Sequence, residues 1–490
     1  MVARGAGVSM LGGVLLQGVL LATYVSLARL APPEVFGTFA AASLLISVGT
    51  LFVESGMTAA LVHRRDRIDE AAATAFLSTA LGGLGLALVS AALAPVLGVV
   101  FGNDEITPIA LALAGVHAVN ALSVVPNALL QREFAYVRRA GADVVWMTSY
   151  GAVAAATLAV GWGVWGLVLA TYAAALVRAM LVWILLRRRL ALRSASLAMW
   201  RELAGYARHV LASEVLRHGG TMAHTIGIGR FLGTQQLGQF NFGNQIAIQS
   251  GSPVVTAAGN LLFPAFARIA HEPQRLRVAF GRGLASLAFV TMPLSLGFLA
   301  FGRPLLVLLL GQRWEPAGEV LSSLCLVGAS LALISIASEV LKASGRPELL
   351  PRIHLASALA PLAAVSIGVK LGIVAIGALT SVALACVSVY ALSTARKVVG
   401  TSLREIAAAV IPPLLVASSI TGVFSVVERA VVDAASHGTA LGLVLLCLEA
   451  LAAAAVYLAV MRVVVPGTTR ELTTALGHLR SRRRGSRAVA

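Results

Sequence analysis

Runs of about 20 mostly apolar residues, each long enough to cross roughly 30 Å of hydrocarbon as a helix, follow one another along almost the whole chain. Charged residues or Pro/Gly breaks separate them. Fourteen are counted, near 8–30, 38–60, 71–94, 109–130, 143–161, 163–186, 210–232, 240–263, 284–303, 317–341, 355–370, 372–395, 408–427 and 439–461. The eleventh is the shortest and ends at Lys370. The pattern predicts an all-α integral membrane protein with 14 transmembrane helices.

Composition agrees with lipid as the solvent. Of 490 residues 58% are hydrophobic and 12% charged, about half the roughly 25% charged residues of soluble domains. Mean hydropathy is +0.87. No predicted loop is long enough to hold a folded catalytic domain outside the bilayer. The three cysteines, Cys325, Cys386 and Cys447, lie singly in apolar runs, which suggests neither a disulfide framework nor a CxxC site.

A net charge of +17 would point to nucleic acid in a soluble protein. Here its placement matters more. With the N-terminus inside, cytoplasmic segments hold 30 of the 38 Lys and Arg residues, as the positive-inside rule requires. Outside segments hold Arg303, Arg313, Lys370 and Arg429, while Arg29, Arg178, Arg217 and Arg230 lie within or at the ends of spans. Both termini are expected in the cytoplasm, the basic tail beside anionic lipid. The first run is too long for a signal-peptide core and is expected to be retained.

The chain also repeats itself. Arg29, Gly37 and Phe39 recur as Arg230, Gly238 and Phe240, each 201 positions on; Pro95 and Gly102 recur as Pro304 and Gly311 at 209; Gly161 and Gly166 recur as Gly372 and Gly377 at 211. Three anchors in order argue for duplication. Six spans per copy, an even number, mean that both copies enter the membrane the same way, as a parallel repeat. The expected organisation is a six-helix bundle over 1–200, a second over 201–400, two additional helices over 401–465 and a basic tail over 466–490.

Polar side chains are costly in lipid, so stripes of them are informative. Span two carries Ser43, Ser47, Thr50, Glu54 and Thr58 on one face; span seven carries Ser213, Glu214, Arg217, His218, Thr221, His224 and Thr225; span eight carries Asn241, Asn244, Gln245, Gln249, Ser252, Thr256 and Asn260. Stripes on repeat-related helices are expected to converge on a hydrated cavity between the halves. For the hydroxyls, bonding between helices is the favoured reading; for Glu54 and the Glu214, Arg217, His218 and His224 set, the cavity is. Glu214 and Arg217 also stand at i and i+3 and can neutralise each other. The cavity set comprises Arg29, Glu54, Glu214, Arg217, His224, Arg230, Asn241, Asn244 and Gln245. Arg29 and Arg230 are read either as snorkelling side chains or as a gate or phosphate contact, and Arg178 as snorkelling or cavity-lining. Glu339 and Glu449 are candidate proton sites on faces that the pattern does not orient.

Other chemistry finds no motif. There is no GxxxxGK[ST] loop. Gly227, Gly229 and Gly233 lie in a span where Leu232 breaks GxGxxG, and Gly229 and Gly233 are read as helix-packing positions. His271-Glu272 lacks an HExxH continuation. No nucleophile, base and oxyanion set is found, so no catalytic residue, metal or cofactor is expected, nor a nucleic-acid partner.

The stretch Arg29-Leu30-Ala31-Pro32-Pro33-Glu34-Val35-Phe36-Gly37, followed by Glu54-Ser55-Gly56, resembles the first hairpin of the Wzx-type flippases of the multidrug/oligosaccharidyl-lipid/polysaccharide exporter superfamily. Gly163-Val-Trp-Gly166, Leu262-Phe-Pro-Ala-Phe-Ala-Arg268, Gly311-Gln-Arg-Trp-Glu-Pro-Ala317 and Leu341-Lys-Ala-Ser-Gly-Arg-Pro347 extend the likeness over about residues 5–400. The resemblance implies two six-helix bundles with two further helices. It also implies translocation of an undecaprenyl-pyrophosphate-linked oligosaccharide from the cytoplasmic to the outer leaflet of a bacterial plasma membrane by alternating access, for cell-surface polysaccharide. The lipid-linked oligosaccharide and membrane lipids are the expected partners, with the pathway's polymerase and glycosyltransferases as candidates. Two other readings stay open. A drug or cation antiporter of the superfamily would want an acidic cavity, which the Arg set disfavours; a membrane polysaccharide polymerase or glycosyltransferase would want large external loops, which are missing.

Overall fold

The computed structural model describes residues 2–50, 61, 66–133, 136–186 and 190–466; within these, the side chains of 2–15, 48, 50, 136–137, 206–221, 223, 250, 252–258 and 260–261 are left aside. All regular structure among the described residues is helical. Among the described residues nine helices are long and apolar enough to cross a bilayer, or ten if the bent pair over 16–42 counts as one span. The chain forms two compact units, Met1–Gly238 and Gln239–Ala490.

In the first unit α1 (Val2–Leu30) ends at Pro32, whose extended backbone (ψ 158°) turns the chain into α2 (Pro33–Ala42) through a bend of 118°. Pro33 occupies the first turn of α2, where its missing N–H costs nothing. The second span therefore begins at Pro33, five residues before the apolar run suggested. Ser43 then breaks α2 from α3 (Leu44–Thr50), its hydroxyl donating to the Ala40 carbonyl. Next come α4 (Ile68–Phe101), α5 (Ile106–Ala114), α6 (Val116–Arg132), α7 (Tyr136–Ala159) and α8 (Val164–Leu185). Helix α4 packs on α5 and α6, α6 on α8, and α7 on α8 and α1.

Helix α9 (Leu197–Arg268) is broken at Gly233, where φ 88° and ψ 169° are open only to glycine. Gly233 thus ends one helix and starts the next; nothing lies within reach of a Cβ there, which corrects its reading as a packing position. The second unit continues with α10 (Pro273–Leu310), α11 (Glu315–Ser323), α12 (Val327–Ala343), α13 (Leu350–Gly368) and α14 (Ile373–Val399). Here α10 packs on α11 and α12, α12 on α14, and α13 on α14, the same neighbour pattern as in the first unit. The anchors of the sequence repeat agree: Pro95 and Pro304 both lie inside helices, and Gly102 and Gly311, which end those helices, both have positive φ.

The two last helices, α15 (Leu403–Val427) and α16 (Thr439–Val464), both dock on α10. Only 17% and 22% of their apolar windows are buried in the protein, so most of their surface is left to lipid. The buried side of α16 is a stripe at spacings of three and four: Gly442, Leu446, Glu449, Ala453, Tyr457 and Met461. It is fixed by the Tyr457 hydroxyl, which donates to the Phe289 carbonyl at 2.9 Å. At the other end, a Cβ on Gly442 would overlap the Ala434 carbonyl.

Polar contacts tie loops that the charge alternation assigned to one side. In the first unit Arg67 pairs with Glu202 at 3.3 Å, and Ser196 donates to Glu70 at 2.6 Å. In the second, Arg277 at the start of α10 pairs with Glu405 at the start of α15, donating through Nε at 3.1 Å. Glu405 also closes a capping box with Ser402, which satisfies two end-of-helix donors. Reversing either charge singly, Arg277→Glu or Glu405→Arg, is expected to lower the melting temperature in detergent by a few degrees, and the double swap to recover most of the loss. Equal losses in all three variants would show that the pair does not hold α15 to α10.

Candidate functional site

The predicted site residues within the described segments fall on α1 and on the two halves of α9. Arg29 is exposed in the last turn of α1, three residues before the Pro32 bend. Arg230 is exposed three residues before the Gly233 break. His224 lies below it on the same half of α9 and is 5% exposed. Glu214 and Arg217 are on that half as well, with side chains among those left aside, and Glu54 lies outside the described residues. Asn241, Asn244 and Gln245 are half-buried on the second half of α9.

What organises this end is a crossing between repeat-related helix starts. A Cβ on Gly37 of α2 would overlap the Thr234 carbonyl, and a Cβ on Gly238 would overlap the Pro33 carbonyl. Thr234 is Pro33 moved on by 201 positions, and Gly238 is Gly37 moved on by the same number. Each helix start therefore presses its carbonyl against the partner's glycine, the reciprocal contact that a twofold relation generates. Only glycine lets two backbones come this close. Arg29 and Arg230 stand one helix end before the crossing on their respective strands of the repeat. The Arg230 guanidinium lies against Gly102, the residue that ends α4, and so beside the electronegative carbonyl end of that helix.

The amide stripe starts one turn past the crossing. On the second half of α9, Gly243 faces Ala317 and Leu321 of α11, and Gly251 faces Gly328 of α12. Asn241 and Gln245 sit roughly 200° round the helix from Gly243, at 100° per residue. The small-residue seam is thus spent on packing within the unit; Asn241 and Gln245 point away from Gly243, while Asn244 stands on the side of Gly251.

Several polar groups resolve as structural. Ser43 and Ser47 donate to carbonyls of their own helix, the local bonding open to such hydroxyls. Arg178 pairs with Asp143 at 3.9 Å and lies 5.3 Å from the Trp146 ring centroid, which joins α8 to α7. Glu339 pairs with Lys342 at 2.9 Å. The pattern missed two further groups. Gln239 is buried and spans two elements, its amide donating to the Arg313 carbonyl at 2.7 Å and accepting from the Ala317 N–H at 3.0 Å. His117 is 1% exposed, 3.1 Å from the Ser90 hydroxyl and against Gly49. Neither belongs to a periodic stripe, the signal by which sites were sought.

A family described as polysaccharide biosynthesis protein matches residues 26–319. The succinoglycan biosynthesis transport protein ExoT of Rhizobium meliloti (strain 1021) is 27% identical over 75% of this chain and 74% of its own length. The lipopolysaccharide biosynthesis protein WzxC of Escherichia coli (strain K12) is 23% identical over 70% of each chain. Among solved structures, the lipid II flippase MurJ in an inward closed conformation superposes with a TM-score of 0.72 at 11% identity, covering 92% of this chain and 98% of that one.

Adding a methyl group at the crossing tests the glycine contact. Spin labels at the exposed Glu34 and Gln235 should report a longer separation in Gly37→Ala or Gly238→Ala than in the parent, since the obstacle in each case is backbone. An unchanged distance distribution would mean that the crossing accommodates the methyl locally.

Proposed function

Because the chain belongs to the polysaccharide biosynthesis protein family, we propose that it is a flippase, which carries an undecaprenyl-pyrophosphate-linked oligosaccharide from the cytoplasmic to the outer leaflet of the bacterial inner membrane by alternating access. The relatives' names, a succinoglycan transport protein and a lipopolysaccharide biosynthesis protein, support a cargo destined for surface polysaccharide. The observation that carries the mechanism is the reciprocal crossing of Gly37 and Gly238. Alternating access needs a contact that closes one end and can part again. Two carbonyls laid against two Cα positions shut the backbone tightly without interlocking side chains, so that parting them breaks no side-chain network.

The chemistry beside the crossing suits the cargo. Arg29 and Arg230 offer planar guanidinium donors, which match phosphate oxygens bidentately. Asn241, Asn244 and Gln245 offer amides that both donate and accept, as sugar hydroxyls require. With both termini in the cytoplasm, as the charge alternation predicts, the crossing would close the outer end. Polymerase and glycosyltransferases of the same pathway are the partners proposed.

In a strain lacking the protein, complete lipid-linked repeat units should accumulate on the cytoplasmic leaflet; unpolymerised units outside would assign the chain to a later step. Arg230→Gln should cut export about tenfold or more, in line with loss of a charge-assisted hydrogen bond worth roughly 1.5–3 kcal/mol. Arg230→Lys should retain part of it. Full export by a normally inserted Arg230→Gln protein would remove Arg230 from the cargo path.

A further inference from the structure

The most unusual chemistry outside the repeats lies in the C-terminal hairpin. Helix α15 ends in a π-turn over Glu428–Val432, and Asp433, with φ 39°, turns the chain toward α16. The π-turn carries Glu428 inward, leaving it 4% exposed, and its Oε1 accepts the Ala434 N–H at 3.1 Å. Glu449, near the middle of α16, is 9% exposed on the stripe that packs against α10 and α15. Its carboxyl acts directly on that of Glu428. The second oxygen of Glu428 and both oxygens of Glu449 are buried and have no hydrogen-bond partner.

No cation among the described residues answers these carboxyls. Arg303 of α10 lines the small pocket that reaches Glu428, but it is committed to Glu315 at 2.9 and 2.6 Å. Arg429 and Asp433 line the same pocket, with no ion pair to either glutamate. His437 is turned to Ser436 and the Asp433 carbonyl. Of the other ionisable groups of the packed helices, Arg404 and Glu405 on α15, Arg462 on α16, and Arg275, Arg277 and Arg282 on α10 stand at the far ends, while on α16 itself Cys447 is exposed and the Tyr457 hydroxyl donates to the Phe289 carbonyl. Two adjoining carboxylates in such surroundings suffer both desolvation and mutual repulsion. A single proton removes both problems, since it turns one acceptor into a donor to the other carboxyl.

We propose that Glu428 and Glu449 form a proton-binding site, in which one proton is shared between the two carboxyls and keeps α16 seated on α10. The pocket lined by Arg303, Ser322, Arg429 and Asp433 reaches Glu428 and gives the proton its way to the site. On release, two like charges face each other across the α15–α16 contact and push the hairpin apart. The hairpin lies outside the two repeats, so the site stands whether or not the transport reading does.

Infrared spectroscopy of the protein in lipid nanodiscs reads the proton directly. At neutral pH the parent should show the carbonyl band of a protonated, hydrogen-bonded carboxylic acid, lost in Glu449→Gln and in Glu428→Gln; the same band in both variants overturns the proposal. A second readout covers the case in which the bands are obscured. A proton bound only in the folded state makes stability fall as pH rises, so the parent's melting temperature should drop from about pH 4, where glutamate ionises in the unfolded chain, up through neutral pH. Glutamine imitates the protonated acid, and Glu449→Gln should show a flatter profile. Parallel profiles, or a melting temperature that follows sodium at constant ionic strength and ignores pH, overturn it as well.

Discussion

Hydrocarbon offers no hydrogen bonds, and this single constraint shapes the rest of the molecule. Each backbone N–H and C=O must find its partner inside the segment that carries it, which in a single-chain bundle means helix. Glycines with positive φ accordingly fall at helix ends or at the Gly233 break, not in helix middles. The same shortage of partners governs side chains. Thr291, Ser338, Thr380 and Thr421 each donate to the carbonyl four residues back, at 2.6–2.8 Å. A hydroxyl satisfied in this way packs almost as an apolar group. Hydroxyls along a span therefore say little about a cavity, whereas amides and charges, which the local backbone cannot satisfy, say much more.

Internal duplication adds a second constraint, because repeat-related helices that touch must touch reciprocally. Pro33 and Thr234 are chemically unlike, yet each contributes the same atom, a main-chain carbonyl, to the crossing. Only the glycines at 37 and 238 need to be identical, and they are. The asymmetry of their surroundings is left to side chains: Arg230 is set against the end of α4 at Gly102, while Arg29 follows an unbroken α1 into the Pro32 bend. A contact made of backbone is insensitive to divergence between the copies, which fits a position that two drifting repeats have both kept.

The apolar runs made the helices legible, since a run of some 20 residues leaves lipid little alternative. Their ends were legible where proline or glycine punctuates, as at Pro32 and Gly163, and less so where a turn is made by ordinary residues. The π-turn at Glu428 is such a case: it looks like the polar end of a span, and the buried carboxyl emerges only once the extra residue per turn is seen to rotate it inward. Gln239 escaped for another reason. It sits in the predicted connection between two spans, and its partners, Arg313 and Ala317, are more than 70 residues away, so no periodicity announces it. The amide stripe was visible as a period, but its direction was not. For Asn241 and Gln245 that needed the opposite face, where Gly243 marks the packed side.

Lone charges in the spans divide along the same line. Arg178 has Asp143 and Trp146, Glu339 has Lys342, and Arg303 has Glu315, each answered by a neighbour one helix or one turn away. Exposed pairs of this kind contribute little stability, but they remove a charge from the list of groups awaiting a ligand. Glu428 and Glu449 are not removed by this test, for neither has an ion pair among the described residues. In a basic chain with a net charge of +17, the two most secluded carboxyls among the described residues adjoin each other, and the arginines of the pocket beside Glu428, Arg303 and Arg429, pair with neither. Neutralising them with an arginine would have been the simple solution for stability alone. A pair left unneutralised keeps the one property that an ion pair loses, the ability to take up and give back a proton.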